Sequence, residues 1–245
     1  MKHIPFSAGE GEIEPFTPTT RTGQRLLEMF QRLLSHFGPQ NWWPAKTPLE
    51  VMIGAILTQN TNWVNVEKAI SNLKDKQFIS LKRLVSVPTA DLAEAIRPAG
   101  YYNIKAKRLK NLVTFIADTY DGDLVRFFDQ ETDVIREALL SVNGVGHETA
   151  DSIVLYAGNR PLFVVDAYTH RILSRHNMAP EEASYHDMQS LFMDHLPEDV
   201  SLYNEFHALI VLAGKDYCRK KPLCPDCPLN PWGDHEQNAG LGHSG

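Results

Sequence analysis

Two features of this chain combine residue types and spacing that can do chemistry. The first is Gly144-Val145-Gly146, followed twenty residues on by Asp166; the second is a set of three cysteines, Cys218, Cys224 and Cys227, within ten residues. Two glycines flanking an apolar anchor let the chain turn tightly and let a ligand reach the backbone with no Cβ in the way. The amides opening the next helix then form an anion site suited to a phosphate. A plain helix–turn–helix corner uses the same residues, so the turn alone leaves both readings open. Asp166 ends the apolar run Phe163-Val164-Val165 at the start of a helix, where Asp serves as an N-cap. An N-cap and a reactive carboxylate are compatible roles. Clustered cysteines in a reducing compartment read as metal ligands more readily than as disulfides.

The elements that must position these groups are helical. Ile135, Ala138, Leu139 and Val142 give one helix an apolar face, and Ala150, Ile153, Val154 and Ala157 give the next helix another, so residues 132–157 form a helix-hairpin-helix element. Leu26, Phe30, Leu33, Leu34 and Phe37 predict an earlier helix that Gly38-Pro39 stops. Thr47-Pro48-Leu49-Glu50 reads as a capping box with proline at the first helical position. Further helices are expected over 63–74, 90–97, 103–119, 167–176, 185–195 and 201–215. Leu162-Phe163-Val164-Val165 is the one β-like run, and no solenoid repeat is present. The fold class is therefore all-α, with a loose arm over 1–20 and a loose tail over 231–245.

The 245 residues carry 24 Lys and Arg against 30 Asp and Glu, a net charge of −6 that argues against a protein that merely coats nucleic acid. Local basic groups remain available: Lys105, Lys107, Arg108 and Lys110, and Arg219-Lys220-Lys221. No apolar stretch approaches the ~20 residues of a membrane helix, and Met1-Lys2-His3-Ile4-Pro5 has no apolar run. The expectation is a cytoplasmic, nucleoid-associated monomer with no membrane partner.

The hairpin, the Val-Asp segment and the cysteine cluster resemble the endonuclease III family of DNA base-excision glycosylases. Two further segments agree, Ile56-Leu57-Thr58-Gln59-Asn60-Thr61 and Gly100-Tyr101-Tyr102-Asn103-Ile104-Lys105-Ala106-Lys107, so the likeness spans residues 26–229. It implies two helical domains, 46–164 and 21–45 plus 165–230, with double-stranded DNA carrying a damaged base crossing the cleft between them. Asp166 would be the catalytic acid. Gly144, Val145 and Gly146 would grip a phosphate, with Lys105 also facing DNA. Gln59 and Asn60 match the loop that fills the hole left by the extruded nucleotide, Asn60 the better match. Such enzymes must flip the base because the glycosidic bond is unreachable in the stack.

Bifunctional members carry a lysine nucleophile two residues beyond the second hairpin glycine. Here Glu148 occupies that position, and a carboxylate cannot form a Schiff base. Gly146-His147-Glu148-Thr149-Ala150-Asp151, Trp42-Trp43-Pro44 and Trp63 look more specifically like the bacterial 3-methyladenine DNA glycosylase branch. In that branch Trp42, Trp43, Pro44 and Trp63 would line the base pocket, where aromatic faces attract a cationic methylated purine. Alternatives are a glycosylase for oxidised or mismatched pyrimidines and a non-catalytic DNA-binding protein. The cysteines resemble the start of the family's [4Fe-4S] loop. Their first gap is one residue short, however, and no fourth cysteine follows. His235 is the candidate fourth ligand, and a zinc site or a metal-free vestige are the other readings.

Overall fold

A computed structural model describes residues 13–232. Among them are twelve α-helices and no strand. In chain order these are α1 (Arg21–Phe37), α2 (Pro48–Leu57), α3 (Trp63–Asp75), α4 (Leu81–Ser86), α5 (Thr89–Ala95), α6 (Tyr102–Tyr120), α7 (Leu124–Phe128), α8 (Thr132–Leu140), α9 (His147–Ser152), α10 (Ala167–Arg175), α11 (Tyr185–Met193) and α12 (Val200–Asp216). Helix starts follow their caps: Thr20, Asn62, Ser184 and Asp199 each accept a backbone N–H of the first turn. At α2 only half of the expected capping box forms. Thr47 accepts from Glu50 N, but the Glu50 carboxylate takes Lys46 N and Lys74 Nζ instead of the Thr47 amide.

The chain divides into two compact units. One is Trp43–Arg160, here the hairpin unit; the other, the aspartate unit, joins residues 13–42 with residues 161–232. Both boundaries fall a few residues before the expected 45/46 and 164/165. In the hairpin unit α2 is the central helix. Leu49, Val51, Met52, Ile53, Ala55, Ile56 and Leu57 are all buried, so apart from Glu50 it is apolar all round, as a helix enclosed by its neighbours must be. It packs on α3, α6 and α9.

The aspartate unit is built on α1, α10, α11 and α12. Phe163 stacks on Phe192 with centroids 3.7 Å apart, and Phe206 meets Phe30 edge-on at 5.2 Å. The β-like run 162–165 is buried yet pairs with no strand. Gln189 Nε2 donates to Phe163 O at 2.7 Å, and Val165 N–H donates to the Tyr185 hydroxyl at 3.4 Å. Side chains thus supply partners that a ladder would otherwise provide.

Residues 13–20 contain no helix, and the remainder of the expected arm lies outside the described residues. The tail expectation needs correction at Trp232, which is 2% exposed. Arg25 lies over its ring at 5.4 Å, and its carbonyl pairs with His176 Nδ1 at 3.2 Å. Residues from 233 on, His235 included, fall outside the described residues.

Candidate active site

Asp166 caps α10 through a complete capping box. Its Oδ1 accepts from Thr169 N at 2.7 Å and Thr169 Oγ1 at 2.9 Å, and Thr169 Oγ1 accepts from Asp166 N at 3.4 Å. One carboxylate oxygen is therefore committed to structure. The other, Oδ2, lies 3.8 Å from His207 Nε2. His207 projects from α12 and is 7% exposed. Burial lowers its pKa below the ordinary value, with the Asp166 charge pulling the other way, so the imidazole is neutral at neutral pH. Tyr168 presses against Gly214 of α12, where a Cβ would sit 2.3 Å from Tyr168 Cδ1, which brings α10 and α12 close.

Glu205, also on α12, accepts the backbone N–H groups of Gln40 at 2.7 Å and Asn41 at 3.2 Å, and burial raises its pKa. It thereby fixes the chain just before Trp42, which is half-buried and ends this segment of the aspartate unit. Neither His207 nor Glu205 was singled out by sequence reasoning. The available signal was a charged and a titratable residue set two apart in the otherwise apolar stretch of α12.

In the hairpin unit Trp43 is 5% exposed and meets Trp63 edge-on, centroids 5.1 Å apart. Tyr156 lies 5.1 Å from Trp43 on its other contact. Pro44 is exposed and Trp63 half-buried. Trp43 can lie this deep because α2 carries Gly54, where a Cβ would come within 2.8 Å of Trp43 Cζ2. Tyr156 sits on a π-helical turn, Ile153–Ala157, that continues α9 and is closed by Gly158 N–H to Ile153 O at 2.9 Å. A glycine inside the apolar run of residues 51–57 was the sequence signal for that close approach.

The hairpin turn has Gly144 at φ +96°, buried Val145 as its anchor and exposed Gly146 as N-cap of α9. Glu148 is exposed in the first turn of α9. The two hairpin helices are braced by Arg136, whose Nε and Nη2 donate to Asp151 Oδ1 and Oδ2 at 2.7 and 3.2 Å; Asp151 is fully buried.

Two expected DNA contacts have their polar groups engaged inside the unit. Lys105 is 1% exposed, and its Nζ donates to Leu57 O, Thr61 Oγ1 and Ala99 O at 2.7, 2.6 and 2.8 Å. All three donors of the ammonium are used inside the unit, and none is left for a phosphate. Burial, with the Arg108 charge second, lowers its pKa to about 8. Gln59 is engaged with the hairpin through Gly144 O and Thr149 Oγ1, whereas Asn60 is exposed at φ +53°. Of the basic group on α6, Lys107 is the one fully at the surface. Arg108 bonds Gln59, and Lys110 donates to Val85 O and Val87 O.

The cysteine loop follows α12. Cys218 is buried, Cys224 exposed and Cys227 half-buried, all as free thiols. Burial, then the neighbouring Cys218 and Cys224, raise the Cys227 pKa. Among the described residues no group of three or more His, Cys, Asp or Glu side chains is arranged to hold a metal ion. These residues do not fit a four-thiolate cluster. Arginines of α10 hold the loop: Arg171 donates to Cys218 O and Gly214 O, and Arg175 to Cys218 Sγ, Arg219 O and Lys220 O. Arg219, Lys220 and Lys221 are exposed.

Residues 53–198 match the model of the HhH-GPD superfamily base excision DNA repair proteins. The chain belongs to this superfamily. A candidate DNA repair glycosylase of Methanocaldococcus jannaschii is 49% identical over 207 residues, which cover 84% of this chain and 94% of that one. Endonuclease III of Thermotoga maritima is 31% identical over 188 residues, 74% and 80% of the two chains. Among solved HhH-GPD structures, the H. pylori 3-methyladenine DNA glycosylase (MagIII) bound to 1,N6-ethenoadenine superposes with a TM-score of 0.67 at 30% identity, covering 80% of this chain and 98% of that one. A non-covalent endonuclease III–DNA complex shares the fold at a TM-score of 0.74 and 24% identity, covering 88% and 96%. No helix among the described residues is long and apolar enough to cross a membrane.

Proposed function

We propose that this protein is a monofunctional DNA glycosylase that removes alkylated purines such as 3-methyladenine from double-stranded DNA. The observation that carries the reading is the half-buried Trp63 ring, set edge-on against a buried Trp43 that Tyr156 backs in turn. A 3-methyladenine nucleotide carries positive charge on the base and a weakened glycosidic bond. Electron-rich ring faces hold such a base by stacking and cation–π attraction, about 0.5–2 kcal/mol per contact. The base departs neutral, so little acid catalysis is needed at the leaving group. The likeness to the H. pylori 3-methyladenine enzyme supports this choice.

Cleavage of the N-glycosidic bond leaves positive charge on the sugar. Asp166 Oδ2, the oxygen not taken by Thr169, is the group that stabilises this charge and orients or deprotonates the attacking water. The new C–O bond replaces the C–N bond, the water proton goes to the carboxylate, and an abasic site results. Glu148 stands where bifunctional relatives carry the lysine, so strand cleavage through a Schiff base does not follow.

The test is base release by purified protein from duplexes carrying 3-methyladenine, 1,N6-ethenoadenine, oxidised pyrimidines or thymine–guanine mismatches. Release of the alkylated purines alone is the expected result. Preference for the pyrimidine substrates would make the protein a glycosylase for oxidised or mismatched pyrimidines instead, and binding with no release would make it a non-catalytic module.

A further inference from the structure

The loop joining α2 to α3, residues 58–62, is held at almost every position. Thr58 Oγ1 donates to Gly54 O at 2.8 Å and prolongs α2 by one residue. Thr61 Oγ1 donates to Ala99 O at 2.6 Å while accepting from the buried Lys105 ammonium. Asn62 caps α3 through Asn65 N. Gln59 reaches further: its Nε2 donates to Gly144 O at 3.1 Å and Thr149 Oγ1 at 3.0 Å, on the two sides of the hairpin turn. Its Oε1 accepts from Arg108 Nη1. The Arg108 stem in turn fills the space beside Gly144, where a Cβ would fall 2.3 Å from Arg108 Cγ. Asn111 Nδ2 completes the tie with a 3.0 Å bond to Asn143 O.

The chemistry of this node admits only an amide. Gly144 O can only accept and a guanidinium can only donate, so Nε2 must face the hairpin and Oε1 must face Arg108. A carboxylate would confront the Gly144 carbonyl, and an amine could not accept from Arg108. Within the loop this leaves Asn60, exposed and in the left-handed region, as the side chain that none of these bonds engages.

We infer that Gln59 is a positioning residue that makes the hairpin and the Asn60 loop one mechanical unit, so that a phosphate held at Gly144–Gly146 sets the register at which Asn60 meets the duplex. The inference rests on the glycosylase reading and assigns to Gln59 a task different from probing DNA. A loop misplaced by about 1 Å costs on the order of 100-fold in rate where geometry is decisive. That cost should appear only where an opposing base must be parted from the lesion.

The experiment compares single-turnover release of the best lesion from the panel, placed opposite a normal base or opposite a tetrahydrofuran spacer. Gln59→Met should lower the rate about 10- to 100-fold opposite the base and less than about threefold opposite the spacer. Adding Arg108→Met to Gln59→Met, which keeps a stem beside Gly144, should then change little, because the Arg108–Gln59 bond is already gone. Equal loss on both substrates, or loss on neither, overturns the inference. Thr149→Val, which removes one acceptor while keeping the shape, gives the same comparison should Gln59→Met be poorly folded. Hydrogen–deuterium exchange supplies a readout independent of turnover. Gln59→Met should raise exchange in peptides covering 58–62 and 143–146 together, and exchange confined to 58–62 overturns the coupling. A wild-type protein that releases no base defeats the glycosylase reading, while the exchange result still judges the coupling.

Discussion

Asp166 Oδ2 and His207 Nε2 stand 3.8 Å apart, while Thr169 holds the other carboxylate oxygen with two bonds. The carboxylate is thus oriented by one oxygen, while the second stands beside a buried imidazole. Asp166→Asn keeps an oxygen for Thr169 and a good N-cap, so stability should change by less than about 1 kcal/mol. Base release should fall at least about 100-fold, with DNA binding retained. Thermal melts, gel shifts and single-turnover assays on one preparation check the three statements.

His207 gives the site a pH dependence of definite sign. Its native pKa is held below the ordinary 6.5, chiefly by burial. Below that value the unfolded chain takes up a proton that the native state resists, so this contribution is complete above 6.5 and is lost as pH falls toward the native value. The melting temperature of the wild type should decline below about pH 6.5 more steeply than that of His207→Gln. Parallel melts across that window measure the difference, which isolates His207 from the other histidines.

Gly54 lets Trp43 sit against α2. In Gly54→Ala the new methyl would meet the indole at 2.8 Å, and Trp43 must move. Overpacking of this kind costs about 1–3 kcal/mol, against a helix-propensity gain of about 1 kcal/mol from replacing glycine. A lowered denaturation midpoint, a shifted tryptophan emission and slower release of alkylated base are expected together.

Lys105→Met leaves Leu57 O and the Thr61 hydroxyl oxygen without their donor, while Ala99 O keeps the Thr61 hydroxyl, and a loss of about 3 kcal/mol is expected. Because the ammonium touches no solvent, the slope of log Kd against log salt for DNA binding should stay that of the wild type. Lys107→Ala, at the surface, is the contrasting case and should lower the slope by about one if Lys107 meets a phosphate. Titrations at several salt concentrations distinguish the two lysines.

With Glu148 in place of an amine, borohydride should trap no covalent protein–DNA adduct, and product strands should break only after alkaline treatment. A trapped band on a denaturing gel would show that another amine acts and would remove the monofunctional assignment.

Much of the architecture was legible because its causes are local. Helical spacing and caps placed the long helices, and Thr47-Pro48 and Asp166 marked starts that the structure shows. The short helices α4 and α7 were not foreseen, since one or two turns carry too little periodicity. The run 162–165 alternated with nothing and looked like a strand. Its partners turned out to be Gln189 and Tyr185, some twenty residues further along, which no periodic pattern announces.

What the order of residues determined unaided was the set of helices, the glycine turn, the identity of residue 148 and the shortage of thiols, because each depends on a side chain's own chemistry or on neighbours within a turn or two. Tertiary structure alone decided which charges and amides remain available. Lys105 looked like a surface cation until Leu57 O, 48 positions away in sequence, was found to be its partner, and Gln59 looked free until Gly144 and Thr149 closed on it from 85 and 90 positions away. The reason is desolvation: a buried donor must be satisfied, and the acceptor that satisfies it is chosen by packing rather than by proximity along the chain.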